Sequence, residues 1–457
     1  MPYTHTTFGQ LKTSLKSRLG DTGGVYWVDA EVGLYIIEAL RVWGLLTGYW
    51  RDTGQFVTAA STPFYDISTI TSIGGDSLLS YSVTDTDLST LIQYHLLEPA
   101  TGSTWTGSEQ FTLADVTEAL TRRRDAFLVE TGARQTLFTQ ALGAGSNYID
   151  LPQTTLQVRR LDWTGTSGTS WPLVQEDISS QRNYGAGYLL TPDTPQTYSS
   201  GSEAPLRLVL APPPNENGTI RALATVSGST LTAAGVVVGL PDDMCWAIKW
   251  GALADMLGRE GPGQDLTRAY YCERRYRLGV EVARTNEIIV NSQIDGVSLS
   301  AEAIDRLDQY SPNWATTTGT PTFIAAYRNY VALATCPDGV YSVTLDLVRK
   351  AETPTADADY IQISADYLGA ILDYAEHLAS FKCGGTEFRQ TFRAADNFFK
   401  AALGYNQRLA AANPAIIDLI KQSTQDDNVQ PMQSRTYNRP LEQEAYTVDP
   451  NNQRGAA

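Results

Sequence analysis

Residues 364–404 read SADYLGAILDYAEHLASFKCGGTEFRQTFRAADNFFKAALG. Tyr367, Ala370, Ile371, Tyr374, Ala375 and Leu378 recur at helical spacing, so they form one apolar stripe on a helix that Ser364 caps. Cys383-Gly384-Gly385 breaks that helix, and Phe388, Phe392, Ala395, Phe399 and Leu403 mark a second one. The stretch is therefore a helical hairpin. Just upstream, apolar runs at 329–335 and 340–348 flank the turn Pro337-Asp338-Gly339 and predict a β-hairpin.

The same order occurs earlier in the chain. Pro241, Asp242 and Asp243 open a helix that buries Trp246, Trp250, Leu253 and Leu257, since Pro and acids suit a first turn. Residues 258–263 turn the chain, and a second helix presents Leu266, Ala269, Cys272, Tyr276 and Val280 to one side. Before it, residues 152–235 alternate short apolar runs with Pro212-Pro213-Pro214 and Asn217-Gly218, the pattern of antiparallel strands with hairpins. Within them, 178–204 is rich in Ser, Gly, Tyr and Pro and reads as a long surface loop.

A second repetition lies nearer the start. Phe8, Leu11, Leu15 and Leu19 give a short amphipathic helix, with Lys12, Lys16 and Arg18 elsewhere around it. Asp29 caps a helix running through Val32, Ile36, Ala39, Trp43 and Leu46 to the stop Thr47-Gly48, and strand-like stretches follow at 55–58 and 64–67. A helix over 86–97 ends at Pro99, and a Gly/Ser/Thr loop covers 101–108. Thr112, with Asp115 in the first turn, then starts a helix stopped by Thr131-Gly132, and strand-like stretches recur at 136–140 and 148–151. Both helices contain Glu-Ala-Leu, at 38–40 and 118–120.

The fold class is thus α+β: N-terminal helical modules, an antiparallel β region, and two β-hairpin plus αα-hairpin modules. The units are 1–110, a helical module with short strands; 111–235, a helix plus the β region; 236–328, the first helical hairpin and a linker; and 329–412, the second hairpin module. Residues 413–457, dominated by Gln, Asn, Pro and Asp, form an extended C-terminal arm that needs something to hold it: its own body is one candidate and a neighbouring chain, the favoured one, is the other.

Composition narrows the function. The 457 residues carry a net charge of −16, with 24 Tyr, 12 Phe and 9 Trp, which is too aromatic for a disordered chain and too acidic to grip phosphate backbones. Cys245, Cys272, Cys336 and Cys383 include no CxxC pair and read as isolated reduced thiols. The first twenty residues lack an apolar signal core, and no run approaches the ~20 apolar residues of a membrane span.

Chemistry is sparse. The sequence contains no HExxH, GxxxxGK[ST], GxSxG or Rossmann glycine pattern. His5, His95 and His377 are scattered. Asp85/Asp87, Asp242/Asp243 and Asp357/Asp359 sit at helix starts or turns, where capping and the helix dipole account for them. Arg122-Arg123-Arg124 fans around a helix and reads as a salt-bridged face. Trp105, Trp163, Trp171, Tyr184 and Tyr188 lie among Gly and Ser: either on exposed loops, able to stack on sugars or anchor an interface, or as core aromatics within strands. Catalytic residues, cofactor ligands and metal ligands are all read as none.

Several stretches carry a resemblance: Trp27-Val28-Asp29-Ala30-Glu31 with Glu38-Ala39-Leu40 and Thr47-Gly48-Tyr49-Trp50; Gln93-Tyr94-His95-Leu96-Leu97-Glu98-Pro99 with Gln110-Phe111 and 122–132; and the aromatic hairpin over 366–404. Together they span most of 1–410. The chain resembles virion structural proteins of tailed bacteriophages, of the head-to-tail adaptor or connector kind. The resemblance implies a homo-oligomeric ring of twelve subunits that binds the portal protein and a tail nozzle or tail-tube protein. It also implies assembly in the host cytoplasm into the virion neck, with no membrane and no enzymatic activity. DNA would pass through the channel without sequence-specific binding, and an acidic wall suits that passage because favourable phosphate contacts would act as brakes. The alternatives are another tail or neck component (nozzle or tail tube) and a host-attachment module that binds glycans through the loop aromatics.

Overall fold

The computed structural model describes residues 5–98, 104–107, 109–184, 187–200, 206–286 and 288–424. In chain order its helices are α1 (Phe8–Arg18), α2 (Asp29–Thr47), α3 (Asp85–Leu96), α4 (Leu113–Thr131), α5 (Ile178–Asn183), α6 (Cys245–Gly258), α7 (Leu266–Thr285), α8 (Ile304–Tyr310), α9 (Ala365–Ser380), α10 (Gly385–Gln390), α11 (Phe392–Tyr405), α12 (Gln407–Ala412) and α13 (Pro414–Thr424). With several mainly antiparallel sheets, the fold is α+β.

Local chemistry fixes the helix ends. Thr7, Thr84 and Thr112 each accept from a backbone N–H three residues on, and Gln10, Asp87 and Asp115 reach back to the threonine N–H, closing three capping boxes. The two 19-residue helices, α2 and α4, end alike. Gly48 and Gly132 take left-handed backbone angles (φ 58° and 64°) that a Cβ would strain. The preceding Thr47 and Thr131 donate Oγ1–H to the carbonyls of Trp43 and Phe127, 2.7 Å in each case.

These matching ends belong to two like-built modules, one nested in the other. After α2, strand Arg51–Val57 pairs antiparallel with Ser342–Val348, and that strand leads on to the α9/α11 hairpin. After α4, strand Gln135–Leu142 pairs antiparallel with Gly218–Val226, which leads on to the α6/α7 hairpin. The long helix of each module packs on the first helix of its hairpin, α2 on α9 and α4 on α6. The short leading helices match too. Thr7 bridges Tyr360 and Thr84 bridges Val237, with Phe8 N–H on Asp359 O and Asp85 N–H on Val236 O, both at 2.8 Å. The inner module runs from 84 to 285, and the outer is made of the two flanks.

Each module also holds two packed sheets. In the inner one, strands 135–142, 218–226, 155–165 and 170–172 face strands 148–150, 207–211, 197–200 and 174–175 across a core of Leu142, Ile149, Leu161, Trp163, Leu208, Leu210 and Ile220. Gly218 is required there, because a Cβ would stand 2.4 Å from the Trp163 ring. In the outer one, a five-stranded and a four-stranded sheet enclose Ile67, Ile70, Leu78, Ile294, Leu299, Ile324, Val331, Leu333, Val343 and Leu345.

Several expectations are corrected. Strands at 330–334 and 342–348 do not pair with each other; the first joins 323–327 and 64–66, the second 51–57 and 289–294. The stretch 178–204 is not a single loop: α5 buries Gln181, whose amide bonds Thr197 and Ser199 on strand Thr197–Ser200. Asp29 does not cap α2; Val28 holds that position, and the Asp29 carboxylate pairs with Lys16. Leu266 is exposed, whereas Ala269, Cys272, Tyr276 and Val280 are buried. The second helix of the late hairpin is split into α10 and α11. Residues 414–424 are no extended arm: Ile416 and Ile420, one turn apart, are buried, and α13 packs on α7 and α11. Residues 425–457, and residues 101–103 and 108 of the 101–108 loop, lie outside the described residues. The shared Glu-Ala-Leu is one turn out of register once the Thr-Gly stops are aligned, so it carries no equivalence.

Candidate functional site

A set of buried charged side chains lies along the seam where the helices of the two modules meet. Glu38 projects from α2 of the outer module into the inner one and pairs with Lys249 of α6, while its other oxygen accepts from the Trp250 indole at 3.0 Å. Lys249, fully buried, also donates to His95 Nε2 of α3 at 3.0 Å. An ammonium has only donors, so that ring nitrogen accepts and the imidazole is neutral. Burial first, and Lys249 beside it, hold the His95 pKa well below the usual histidine value; burial likewise pushes the Lys249 ammonium down.

Two further contacts cross the seam. Arg275 of α7 is buried, donates to the Tyr374 hydroxyl of α9 and lies 5.0 Å from the Phe399 ring centre. Tyr271 donates to His377 Nε2 at 2.7 Å, and His377 Nδ1–H meets Thr391 Oγ1 at 2.9 Å. Burial lowers the His377 pKa to about 3. A similar pair closes the outer module, where Lys382 meets Glu31, itself hydrogen-bonded by Tyr35. Burial raises the Glu31 pKa.

At the β end, Arg160 of the inner module reaches Asp308 of the outer, and Asp308 also accepts from the Trp314 indole at 2.8 Å. Asn329 exchanges two hydrogen bonds with the Gln135 backbone. Chemically, most of these polar atoms are paired and closed to solvent, although His95 Nδ1 and Arg275 Nε and Nη1 are buried without a protein partner. They fix one arrangement of two modules rather than face a substrate.

The sequence-predicted residues fall as follows. His95 and His377 are buried in the seam, and His5 lies apart against Tyr360. Asp85 is buried and accepts four backbone N–H groups from Thr232, Ala233, Gly235 and Val236. Asp87 closes a capping box. Asp242 holds Ser82 and Val83 N–H, and Asp243 accepts from Ala351 N–H at 3.0 Å, with burial raising its pKa to about 6. Asp357 pairs with Lys12, and Asp359 holds the 355–356 turn. The arginine run is salt-bridged: Arg122 and Arg123 meet Asp255, Arg123 also meets Glu273, and buried Arg124 pairs with Asp125. Among the described residues no cluster of three or more His, Cys, Asp or Glu side chains could hold a metal. No helix among them is long and apolar enough to cross a membrane.

The loop aromatics separate. Trp163 lies in a strand and is 1% exposed, which removes it as a ligand-stacking side chain. Trp105 packs partly buried against the helical core, whereas Trp171 and Tyr184 are exposed, with Tyr188 5.0 Å from Tyr184. The seam charges were missed on the sequence. Their signal was a carboxylate in the middle of an apolar run, Glu38 between 32–37 and 39–40 of α2, and a lone lysine among tryptophans, Lys249 in α6.

A family model described as SU10 adaptor protein matches residues 86–287. The match begins one residue inside α3 and ends two residues past α7, so it covers the inner module. No curated protein matches the chain. Over that module the chain is similar to phage adaptor proteins, which supports a structural adaptor role and association with a virion.

Proposed function

We propose that the protein is the head-to-tail adaptor of a tailed bacteriophage: a ring of identical chains that joins the portal to the nozzle or tail tube and lines the DNA passage. Its work is assembly, with no covalent chemistry of its own. The observation that carries this reading is the coincidence of the adaptor match with one complete structural module, 84–285. The sealed seam agrees with it, since a subunit that bears load between two rings needs its two halves locked in one geometry. The net charge of −16 suits a wall past which DNA slides.

Native mass measurement of the protein, alone and mixed with the portal ring of the same phage, tests the reading. A closed ring of identical chains that joins the portal is expected. A chain that stays monomeric in the presence of portal overturns it. The arm that would latch a neighbour is now confined to 425–457, because 414–424 is packed on its own chain. Removing 425–457 is expected to leave the fold intact and weaken joining.

A further inference from the structure

Strand Gln135–Leu142 stands at the edge of its four-stranded sheet and is eight residues long, whereas the other edge strands among the described residues are two or three residues long. Its sequence, Gln-Thr-Leu-Phe-Thr-Gln-Ala-Leu, holds no charge, Pro or Gly, so it lacks the devices that usually blunt a sheet edge. Along a strand the backbone groups point alternately to the two sides, and those of Gln135 and Leu137 face away from strand 218–226. The outer module takes them: Asn329 bonds Gln135, and the Tyr330 hydroxyl accepts from Leu137 N–H at 3.4 Å. By the same alternation Thr139 and Ala141 also turn their N–H and C=O outward. Both residues are exposed, and no group among the described residues bonds those backbone atoms. The outer module shows what such an edge takes. Aligned on the Thr-Gly stops, Gln55 stands where Thr139 does; it is paired antiparallel with Thr71, and Thr53 C=O accepts from Ile73 N–H at 3.3 Å.

We propose that this edge is the contact for a second copy of the chain, with strand 135–142 pairing antiparallel with itself across a two-fold axis at Gln140. Register fixes the occupant. With Gln140 opposite Gln140, Thr139 of each copy meets Ala141 of the other, and each such pair exchanges two backbone hydrogen bonds. These bonds use the outward groups that are free and no others. A shift either way fails. One shift sets Ala141 opposite Leu137, whose N–H the Tyr330 hydroxyl already holds. The other sets Thr139 opposite Gly143, whose carbonyl already accepts from Ser146 N–H. Side chains agree with the register: Phe138 and Leu142, which pack on the sandwich core, come opposite each other, and no like charges meet. The two four-stranded sheets then run on into one another. A two-fold contact cannot join neighbours within one cyclic ring, so in the adaptor reading the pair caps the bare edge of chains that have not yet entered a ring. The pairing itself does not depend on that reading.

Sedimentation velocity over a dilution series of the full-length protein, without portal, tests the pairing. It compares the parent, Thr139→Lys/Ala141→Lys, Thr139→Asp/Ala141→Asp and an equimolar mixture of the two variants. A monomer–dimer equilibrium is expected for the parent. It should be about tenfold weaker or more in each variant, where like charges stand opposite, and restored in the mixture. Gln140→Cys is the second measurement. The Cα atoms of that pair would lie about 4.5 Å apart, within the range a disulfide spans. Oxidation is therefore expected to give a linked dimer that the parent, whose Cys245, Cys272 and Cys336 are buried, does not form. This variant alone decides if the charge variants fail to fold. The proposal is overturned by a parent that stays monomeric or passes to larger rings with no dimer, by charge variants that associate like the parent, or by Gln140→Cys linked no more than the parent. A chain monomeric alone that still forms a ring with portal sinks the pairing and leaves the adaptor reading standing; a dimer that never joins portal does the reverse.

Discussion

The outer and inner modules share a scaffold and differ in what covers it. Both have a capped leading helix, a 19-residue helix with a Thr-Gly stop, a strand ladder, a sandwich and a helical hairpin. Aligned on their stops, Glu38 of α2 and Arg122 of α4 occupy the same position, nine residues before the threonine. Glu38 is 3% exposed and paired inside the seam, whereas the Arg122 side chain is 62% exposed. One backbone position is therefore a buried lock in one copy and a solvated charge in the other. Scaffold sets where a side chain stands, and the neighbour sets what it is worth.

The sharpest way to break that contrast is Glu38→Ala. It strands the Lys249 ammonium in the core and is expected to cost about 3–5 kcal/mol in urea unfolding. A cost under about 1 kcal/mol would mean that water relieves the seam. Acid probes the same place. His95 and His377 have folded pKa values below the usual 6.5, so the unfolded chain binds more protons and their contribution, complete above about pH 6.5, is lost as pH falls, for His377 toward about 3. At pH 5 His377 alone accounts for ~2 kcal/mol. Asp243, raised to about 6, acts oppositely: its contribution is full at acid pH and lost as pH rises through 6, which offsets part of the effect. The melting temperature is expected to drop from pH 7 to 5, and His377→Gln should shrink the drop.

Smaller effects test the equivalence itself. Gly48→Ala and Gly132→Ala place a Cβ on the same left-handed angle and should each cost about 1–2 kcal/mol. Penalties differing more than twofold would show that the two stops are not interchangeable. Arg122→Ala, despite its shared position with Glu38, should cost no more than about 0.5 kcal/mol in the same assay.

What the sequence made legible was local. Thr112 with Asp115, the Thr-Gly stops and the stripes of both helical hairpins are read within one or two turns, and the structure keeps them apart from Leu266. The nesting was hidden because strand 51–57 finds its partner at 342–348, and no short-range pattern encodes that register. The same limit left Trp163 undecided between loop and core, because its polar neighbours suggest a loop while its ring is covered by Gly218 from a strand far along the sequence. The seam was illegible for a related reason: Glu38 and Lys249 each stand out in their helices, but they are 211 positions apart and nothing local pairs them.

Nesting also orders events on the ribosome. The inner module is complete once residue 285 has emerged, but strand 51–57 must wait for 342–348, some 285 residues after its own end. At roughly 5–20 residues per second, that wait lasts about 15–60 s, with an unsatisfied strand edge open to passing chains. The nascent protein therefore matures from the middle outward: a finished kernel first, then a shell that closes only when its far half arrives.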